Sequence, residues 1–196
     1  MGILAAGRAT RFGGGKVLAE LDGVPIVRRS VDAALTSGLR PVVTVVGPGM
    51  STIERVLPAG VDVVIASAAR LGIAHSLRAL LRGLEGWRQV GAVCVGLGDQ
   101  PWVGPGSYRR LAAAYADGAE FAVATYGGER QNPVLIGRSR WADALKLRGD
   151  TGARALMERF GVVEVDCEGT GRPDDVDTLA DLARLQRELD QHEMEP

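Results

Sequence analysis

Three largely apolar segments divide the first half of the chain. They cover residues 41–46, 61–66 and 92–97, and none of them alternates regularly between apolar and polar positions. Such runs are typical of strands that are buried on both faces, as in a parallel sheet. Shorter apolar segments predict further strands at residues 3–5, 120–125, 134–136 and 162–165. We therefore expect a mostly parallel sheet.

Between these strands, apolar residues recur at the spacing of amphipathic helices. The clearest example has Ile26, Val27, Val31 and Ala34 on one face. Helices are predicted at about residues 25–36, 51–57, 76–84, 108–115, 141–147, 151–159 and 178–189. The alternation of strands and helices predicts a single-domain α/β fold of the Rossmann-like type, with helices flanking the sheet. We expect this domain to span residues 1–190 and to be followed by a polar, frayed tail at 191–196.

A glycine-rich stretch follows the first predicted strand. Residues 4–16 read LAAGRATRFGGGK, so Arg8, Arg11 and Lys16 are interleaved with four glycines. Glycines let backbone N–H groups approach a ligand, and Arg and Lys supply charge for phosphate oxygens. Two interpretations remain open from local composition, a polyphosphate cradle and a flexible surface loop. Lys16 is one of only two lysines among 23 basic residues, which favours a specific need for an ammonium group there.

Two standard phosphate-binding motifs are excluded by spacing. The P-loop requires G-x-x-x-x-G-K-[ST], but Thr10 stands at its first glycine and Val17 at its hydroxyl position. The dinucleotide fingerprint requires G-x-G-x-x-G, and Leu18 stands where its last glycine should be.

Acidic residues stand at two further positions where they could serve chemistry. Asp99 directly follows the strand predicted at 92–97, where it is either a turn former or a ligand for Mg²⁺. Asp174, Asp175 and Asp177 precede the last predicted helix, where they either cap the helix or contribute carboxylates to a site. Because ligands bind beyond the carboxyl ends of parallel strands, we expect the loops after the first strands to form one site.

Composition narrows the class of protein. The chain has 196 residues, 46% of them apolar and 24% charged, and a net charge of −1, which gives no general attraction to nucleic acid or membranes. No apolar run approaches the length of a spanning helix, and we identify no signal peptide. Cys94 and Cys167 are expected to be buried thiols, and no Cys/His cluster has zinc spacing. The protein is therefore expected to be cytoplasmic.

The motif L-A-A-G-x-x-x-R-x-G-x-x-K, together with G-D-x-P at Asp99 and D-V-D-T at Asp175, resembles the MobA-like nucleotidyltransferases. The resemblance implies transfer of a nucleotide from an NTP to a phosphate, with Arg11, Lys16 and Asp99 as catalytic residues. It implies Mg²⁺ bound by Asp99 and Asp175. The nucleotide-binding residues that it implies are Leu4, Ala5, Ala6, Gly7, Arg8, Gly13, Lys16, Gly72, Ser76 and Asp99.

Within this family, A-A-G at residues 5–7 and G-x-x-x-S at residues 72–76 resemble the cytidylyltransferases that act on molybdopterin. This implies CTP and a phosphorylated pterin as substrates, and a molybdoenzyme is among the partners implied. The acceptor-binding residues implied are Gln131, Asn132, Pro133, Asp150 and Arg154. Asn132 stands where those enzymes usually have His, which leaves the acceptor open. His75 is assigned no chemistry beyond lining the site.

Three other functions stay open. The first is a nucleotidyltransferase with a different NTP or phosphorylated acceptor. The second is an oxidoreductase related to the enzymes that reduce a nicotine-derived pigment, which the missing dinucleotide fingerprint disfavours. The third is a non-catalytic accessory protein for molybdoenzyme maturation.

Overall fold

The computed structural model describes residues 1–7 and 12–193. The strands of this part are β1 Gly2–Leu4, β2 Glu20–Leu21, β3 Val24–Pro25, β4 Val42–Val46, β5 Val61–Ile65, β6 Ala92–Leu97, β7 Phe121–Tyr126, β8 Glu129–Gly137 and β9 Val163–Asp166. The α-helices are α1 Ile26–Thr36, α2 Ser51–Glu54, α3 Ile73–Gly83, α4 Pro105–Ala116, α5 Trp141–Ala144, α6 Arg154–Phe160 and α7 Leu179–Glu193.

One seven-stranded sheet organises these elements, in the order β5-β4-β1-β6-β8-β7-β9. Strands β5, β4, β1 and β6 are parallel, and β9 is parallel to β7. Strand β8 is antiparallel to both of its neighbours, β6 and β7. The prediction of a mostly parallel α/β sheet is confirmed. Strands β2 and β3 form a separate small hairpin.

The sheet separates two apolar layers, and this explains the uninterrupted apolar runs of β4 and β6. The prediction of a buried strand at residues 61–66 was wrong, because β5 lies at the edge of the sheet and leaves Asp62 and Ile65 exposed. In β4, Val43 and Val45 contact the layer beneath α3, whereas Val42 and Val46 contact the layer beneath α1 and α4. Successive side chains of a strand point to opposite faces, so a strand covered on both faces needs apolar residues throughout. Among the described residues, no helix is long and apolar enough to cross a membrane.

Helix α3 begins at Ile73, three residues before its predicted start, so residues 73–76 are its first turn rather than a loop. The cause is a contact with a segment distant in sequence. Gly72 has φ +116°, and a Cβ there would lie 2.2 Å from the carbonyl carbon of Gly149. The Ala74 N–H then donates to the Gly149 carbonyl at 3.1 Å.

Other element bounds differ as well. A 3₁₀ turn over Lys16–Leu18 precedes β2. Helix α2 ends at Glu54 instead of residue 57, and β8 begins at Glu129 instead of residue 134. Helix α7 continues to Glu193, so residues 191–193 are helical rather than a frayed tail.

Candidate active site

Lys16 lies at the centre of the candidate site. It follows Gly13, Gly14 and Gly15, all with positive φ, and its side chain turns inward so that only 8% of the residue is exposed. Its Nζ lies 2.6 Å from Asp99 Oδ2 and 2.9 Å from Asp177 Oδ1. A single ammonium group therefore bridges two carboxylates that are far apart in sequence.

Asp99 reaches this position because β6 lies directly beside β1. The Gly98 N–H donates to the Leu4 carbonyl at 2.9 Å. A Cβ at Gly98 would lie 2.8 Å from the Ala5 methyl group, so glycine permits the close approach. The loop after β6 is thus held against the start of the glycine-rich stretch, as the sheet-edge argument predicted.

The acidic segment before α7 is fastened to the same loop. The Val176 N–H donates to the Asp99 carbonyl at 3.0 Å, and Gln100 Nε2 donates to the Pro173 carbonyl at 3.2 Å. These bonds place Asp175 on the same side of the molecule as Asp99. The sequence analysis did not identify Gln100, whose position within G-D-x-P gives no chemical signal.

Capping of α7 uses the side chains of Thr178 and Asp181, and Asp177 contributes its backbone N–H, which donates to Asp181 Oδ2 at 3.1 Å. The Asp181 carboxylate accepts from the N–H of Thr178 at 2.7 Å, and the Asp181 N–H donates to Thr178 Oγ1 at 3.2 Å. This reciprocal arrangement is a capping box. The Asp177 carboxylate contacts Lys16. Sequence alone left Asp177 either as a helix cap or as a carboxylate of the site and did not indicate its contact with Lys16, although the T-x-x-D spacing at 178–181 indicates which side chains form the cap.

The charges of this cluster shift two pKa values. Burial alone would lower the pKa of Lys16, but hydrogen bonds and charges from Asp99 and Asp177 outweigh it and raise that pKa. The pKa of Asp175 is raised to about 6, first by desolvation of its carboxyl group and then by the negative charges of Asp99 and Asp177. Asp175 lies at the exposed rim of the site, where water moderates this shift. The cluster therefore favours additional positive charge.

The same residues suit a divalent cation. Gln100 is 2% exposed, and its Oε1 has no hydrogen-bond partner among the described residues. Carboxylate and amide oxygens are the ligands that Mg²⁺ prefers, usually together with waters and substrate phosphates. In the described part of the chain, no group of three or more His, Cys, Asp or Glu side chains forms a complete metal site. The roles of Asp99 and Asp175 as metal ligands stay predictions.

A cavity of 470 Å³, here called the nucleotide cavity, opens beside Lys16 and Asp99. Its lining includes most of the predicted nucleotide-binding residues, namely Leu4, Ala5, Ala6, Gly7, Lys16, Gly72, Ser76 and Asp99. Gly13 is absent from this lining. The expectation that His75 lines the site was wrong, because His75 lines a different cavity on the other side of α3's first turn. Arg8 and Arg11 lie outside the described residues, so their predicted roles stay predictions.

A second cavity of 340 Å³, here called the acceptor cavity, adjoins the first. Both are lined by Leu4, Ile73, Leu97 and Asp150. The floor of the acceptor cavity is apolar, and its polar residues are Arg130, Gln131, Asn132, Asp150 and Arg154. Four of the five predicted acceptor-binding residues line it, whereas Pro133 does not. The predicted acceptor segment 131–133 belongs to strand β8.

The two cavities beyond the carboxyl ends of the strands place the protein among the α/β proteins that bind ligands at this edge of the sheet. Residues 1–165 match the family model of the MobA-like NTP transferase domain. The chain belongs to that family, which is a family of nucleotidyltransferases.

The chain is also similar to part of a curated protein. The chain is 33% identical over 139 residues to the bifunctional protein GlmU of Rhodospirillum rubrum, covering 69% of this chain and 30% of that protein. The chain thus spans less than a third of the length of this curated relative.

Several solved structures share the fold of this protein over nearly the whole chain. Rv0371c of Mycobacterium tuberculosis H37Rv has a TM-score of 0.82 at 28% identity, covering 95% of this chain and 96% of that one. A structure of Rv0371c in complex with manganese has a TM-score of 0.79 at 26% identity, covering 95% and 96%. A nucleotidyl transferase from Methanothermobacter has a TM-score of 0.78 at 25% identity, covering 97% of each chain.

Proposed function

We propose that this protein transfers CMP from CTP to the phosphate of a molybdopterin-type acceptor and releases pyrophosphate, with Mg²⁺ as cofactor. The observation that carries this proposal is the pair of adjoining cavities. One contains Lys16 and Asp99 beside the glycine-rich stretch, the other has an apolar floor with basic and amide side chains, and they share a wall. Two substrates bound side by side can react at the common boundary.

In the proposed reaction, an oxygen of the acceptor phosphate attacks the α-phosphorus of CTP. The bond from that phosphorus to the β-phosphate oxygen breaks, and pyrophosphate leaves with the electron pair. Such transfers depend mainly on positioning and on stabilising charge. Mg²⁺, when bound by Asp99 and Asp175, would offset negative charge on the triphosphate.

The protein's own contribution centres on Lys16. In the structure its ammonium group is paired with Asp99 and Asp177. We propose that a cation at Asp99 takes over that carboxylate, which leaves Lys16 free to bind phosphate oxygens while Asp177 holds its side chain in place. Arg11 is predicted to bind the same triphosphate.

The preference for CTP rests on the residues next to the base. Ala5 and Ala6 line the nucleotide cavity, and they are 1% and 6% exposed. Their methyl groups narrow the space available compared with glycine, which suits a pyrimidine better than a purine. Gly72 and Ser76 complete this wall at the first turn of α3.

The acceptor cavity suits a molecule with one flat apolar part and a phosphate. Leu77, Val95, Val123 and Met157 contribute its apolar floor. Arg154 lies at the opening, where a guanidinium group can pair with phosphate oxygens. We propose that Gln131 and Asn132 form hydrogen bonds to the heteroatoms of the acceptor.

A second candidate is the transfer of another nucleotide to another phosphorylated acceptor. The 33% identity to the bifunctional protein GlmU over 69% of the chain favours it. An oxidoreductase and a non-catalytic accessory protein are less well supported by the paired cavities.

The experiment is a pyrophosphate-release assay with each of the four NTPs, with and without molybdopterin or sugar phosphates, and with Mg²⁺ or EDTA. We expect release from CTP that requires molybdopterin and metal. Release with another NTP or a sugar phosphate would favour the second candidate. Tight CTP binding without turnover, or NAD(P)H oxidation without pyrophosphate release, would contradict the proposal.

A further inference from the structure

A third cavity, of 480 Å³, lies between edge strand β5 and helix α3. We call it the β5–α3 cavity. Its lining runs along residues 64–68 and then along one side of α3, and it shares no residue with the lining of the nucleotide cavity. At one end the helix touches the strand, since a Cβ at Gly83 would lie 2.8 Å from Val64 Cγ2. Nothing in the proposed reaction uses this cavity.

The polar lining of the β5–α3 cavity is basic. His75, Arg78 and Arg82 stand at positions i, i+3 and i+7 of α3, a spacing that places them on one face of a helix. Ser67 adds a hydroxyl group from the opposite wall. No Asp or Glu of the described residues lines the cavity. The cavity therefore concentrates positive charge without a counterion from the described part of the chain.

Arg78 provides a second observation that points to anion binding. Its Nε is buried and has no hydrogen-bond partner among the described residues. A buried donor without an acceptor is costly, and guanidinium groups one turn apart repel each other. Both costs are removed if an anion binds between Arg78 and Arg82. Arginine presents several N–H donors in one plane, an arrangement that matches the oxygens of a phosphate group.

We propose that the β5–α3 cavity is a binding site for a small phosphate-bearing molecule, separate from both substrate cavities. Its volume of 480 Å³ is close to the 470 Å³ of the nucleotide cavity, so a ligand larger than a single phosphate can enter. Arg78 and Arg82 bind the phosphate, and His75 and Ser67 contribute further hydrogen bonds. This site goes beyond the proposed transfer reaction and does not depend on it.

The test is a titration of the metal-free protein with sodium pyrophosphate, followed by the backbone amide signals in ¹H–¹⁵N NMR spectra. We expect saturable shifts at Ser67, Ala68 and His75 in the unmodified protein and in Lys16→Gln, which weakens binding at the nucleotide cavity. In Arg82→Gln the affinity reported by these signals should fall about tenfold, the loss expected for one charge-assisted hydrogen bond.

Arg88→Gln is the matched control, because Arg88 is an exposed arginine that follows α3 and does not line the cavity. It should bind like the unmodified protein. Arg78→Gln is a second test variant, which removes the buried donor and should also weaken pyrophosphate binding. The amide signals of Arg78→Gln and Arg82→Gln at residues away from α3 show whether each variant keeps its fold. Shifts confined to the nucleotide cavity, or equal affinity in Arg82→Gln and Arg88→Gln, would overturn the proposal.

Discussion

The nucleotide cavity and the acceptor cavity share a wall but differ in how they are built. The nucleotide cavity is formed by tight backbone contacts and by Lys16, which pairs with both Asp99 and Asp177. The acceptor cavity has an apolar floor, and Gln131 and Arg154 at its edge are exposed side chains. In our proposal, the first cavity stabilises charge, whereas the second selects the molecule that reacts.

The largest effect is expected in the nucleotide cavity. Asp99→Asn removes a negative charge that pairs with Lys16 and, in our proposal, with Mg²⁺. We expect kcat for pyrophosphate release to fall on the order of 10²- to 10³-fold. Asp32→Asn is the matched control, since Asp32 forms a surface pair with Arg28. An undiminished rate in Asp99→Asn would refute the role of this carboxylate, provided that both variants show a folded circular dichroism spectrum.

A substitution at the wall shared by the two cavities should weaken the binding of both substrates. Gly72→Ala places a methyl group against the backbone of Gly149 at a positive φ, so we expect a loss of about 1–3 kcal/mol in the free energy of unfolding. Because Asp150 follows Gly149 and lines both cavities, KM should rise for both substrates. Urea denaturation measures the free energy of unfolding, and steady-state kinetics measure the two KM values. Gly86→Ala is a control, as a Cβ there meets no atom within 4 Å among the described residues. Equal stability of the two variants would show that the close contact at Gly72 does not exist.

A substitution in the acceptor cavity should raise KM for one substrate and leave KM for the other unchanged. Arg154→Gln removes a guanidinium group from the cavity opening, so KM for the phosphorylated acceptor should rise about tenfold while KM for CTP is unchanged. Arg159→Gln changes the same residue type on the same helix outside the cavity and should have little effect. A parallel rise of both KM values in Arg154→Gln would mean that the cavities do not divide the substrates in this way.

The smallest expected effect is a pH-dependent change in the free energy of unfolding when Asp175 is replaced. The pKa of Asp175 is about 6 in the folded protein, above its ordinary value of 3.8, so the folded state binds more protons than the unfolded state between these values. Ionised Asp175 therefore disfavours folding, and this penalty develops as the pH rises from about 4 to 6. Without metal, Asp175→Asn should be more stable than the unmodified protein at pH 7.5 by about 1 kcal/mol or less, since the residue is exposed.

Urea denaturation in EDTA at pH 4 and pH 7.5 measures this difference. It should vanish at pH 4, where Asp175 is protonated in the folded protein. A variant that is less stable than the unmodified protein at pH 7.5 would show that Asp175 does not experience the repulsion described here.

Sequence patterns predicted those features that depend on local composition. The apolar runs of β4 and β6 identified buried strands, because both faces of each strand are covered. The position of Asp99 followed from its place after β6. The pairing of Lys16 with Asp177 could not be predicted this way, because 161 residues separate them and no local pattern records their contact.

The start of α3 could not be predicted from local sequence patterns either. The helix begins early because Gly72 rests on Gly149, and this contact between distant segments overrides local preference. Gln100 was missed for a related reason. Its amide matters only because the Pro173 carbonyl lies beside it in the folded chain.

The central claim is that one triphosphate–metal unit binds between the glycine-rich stretch and the two acidic segments. A crystal structure with CTP and Mn²⁺, in which anomalous scattering locates the metal, tests it most directly. We expect the metal to bind both Asp99 and Asp175, with Lys16 Nζ on a phosphate oxygen instead of Asp99. A metal bound without Asp99, or a triphosphate outside the nucleotide cavity, would contradict the account.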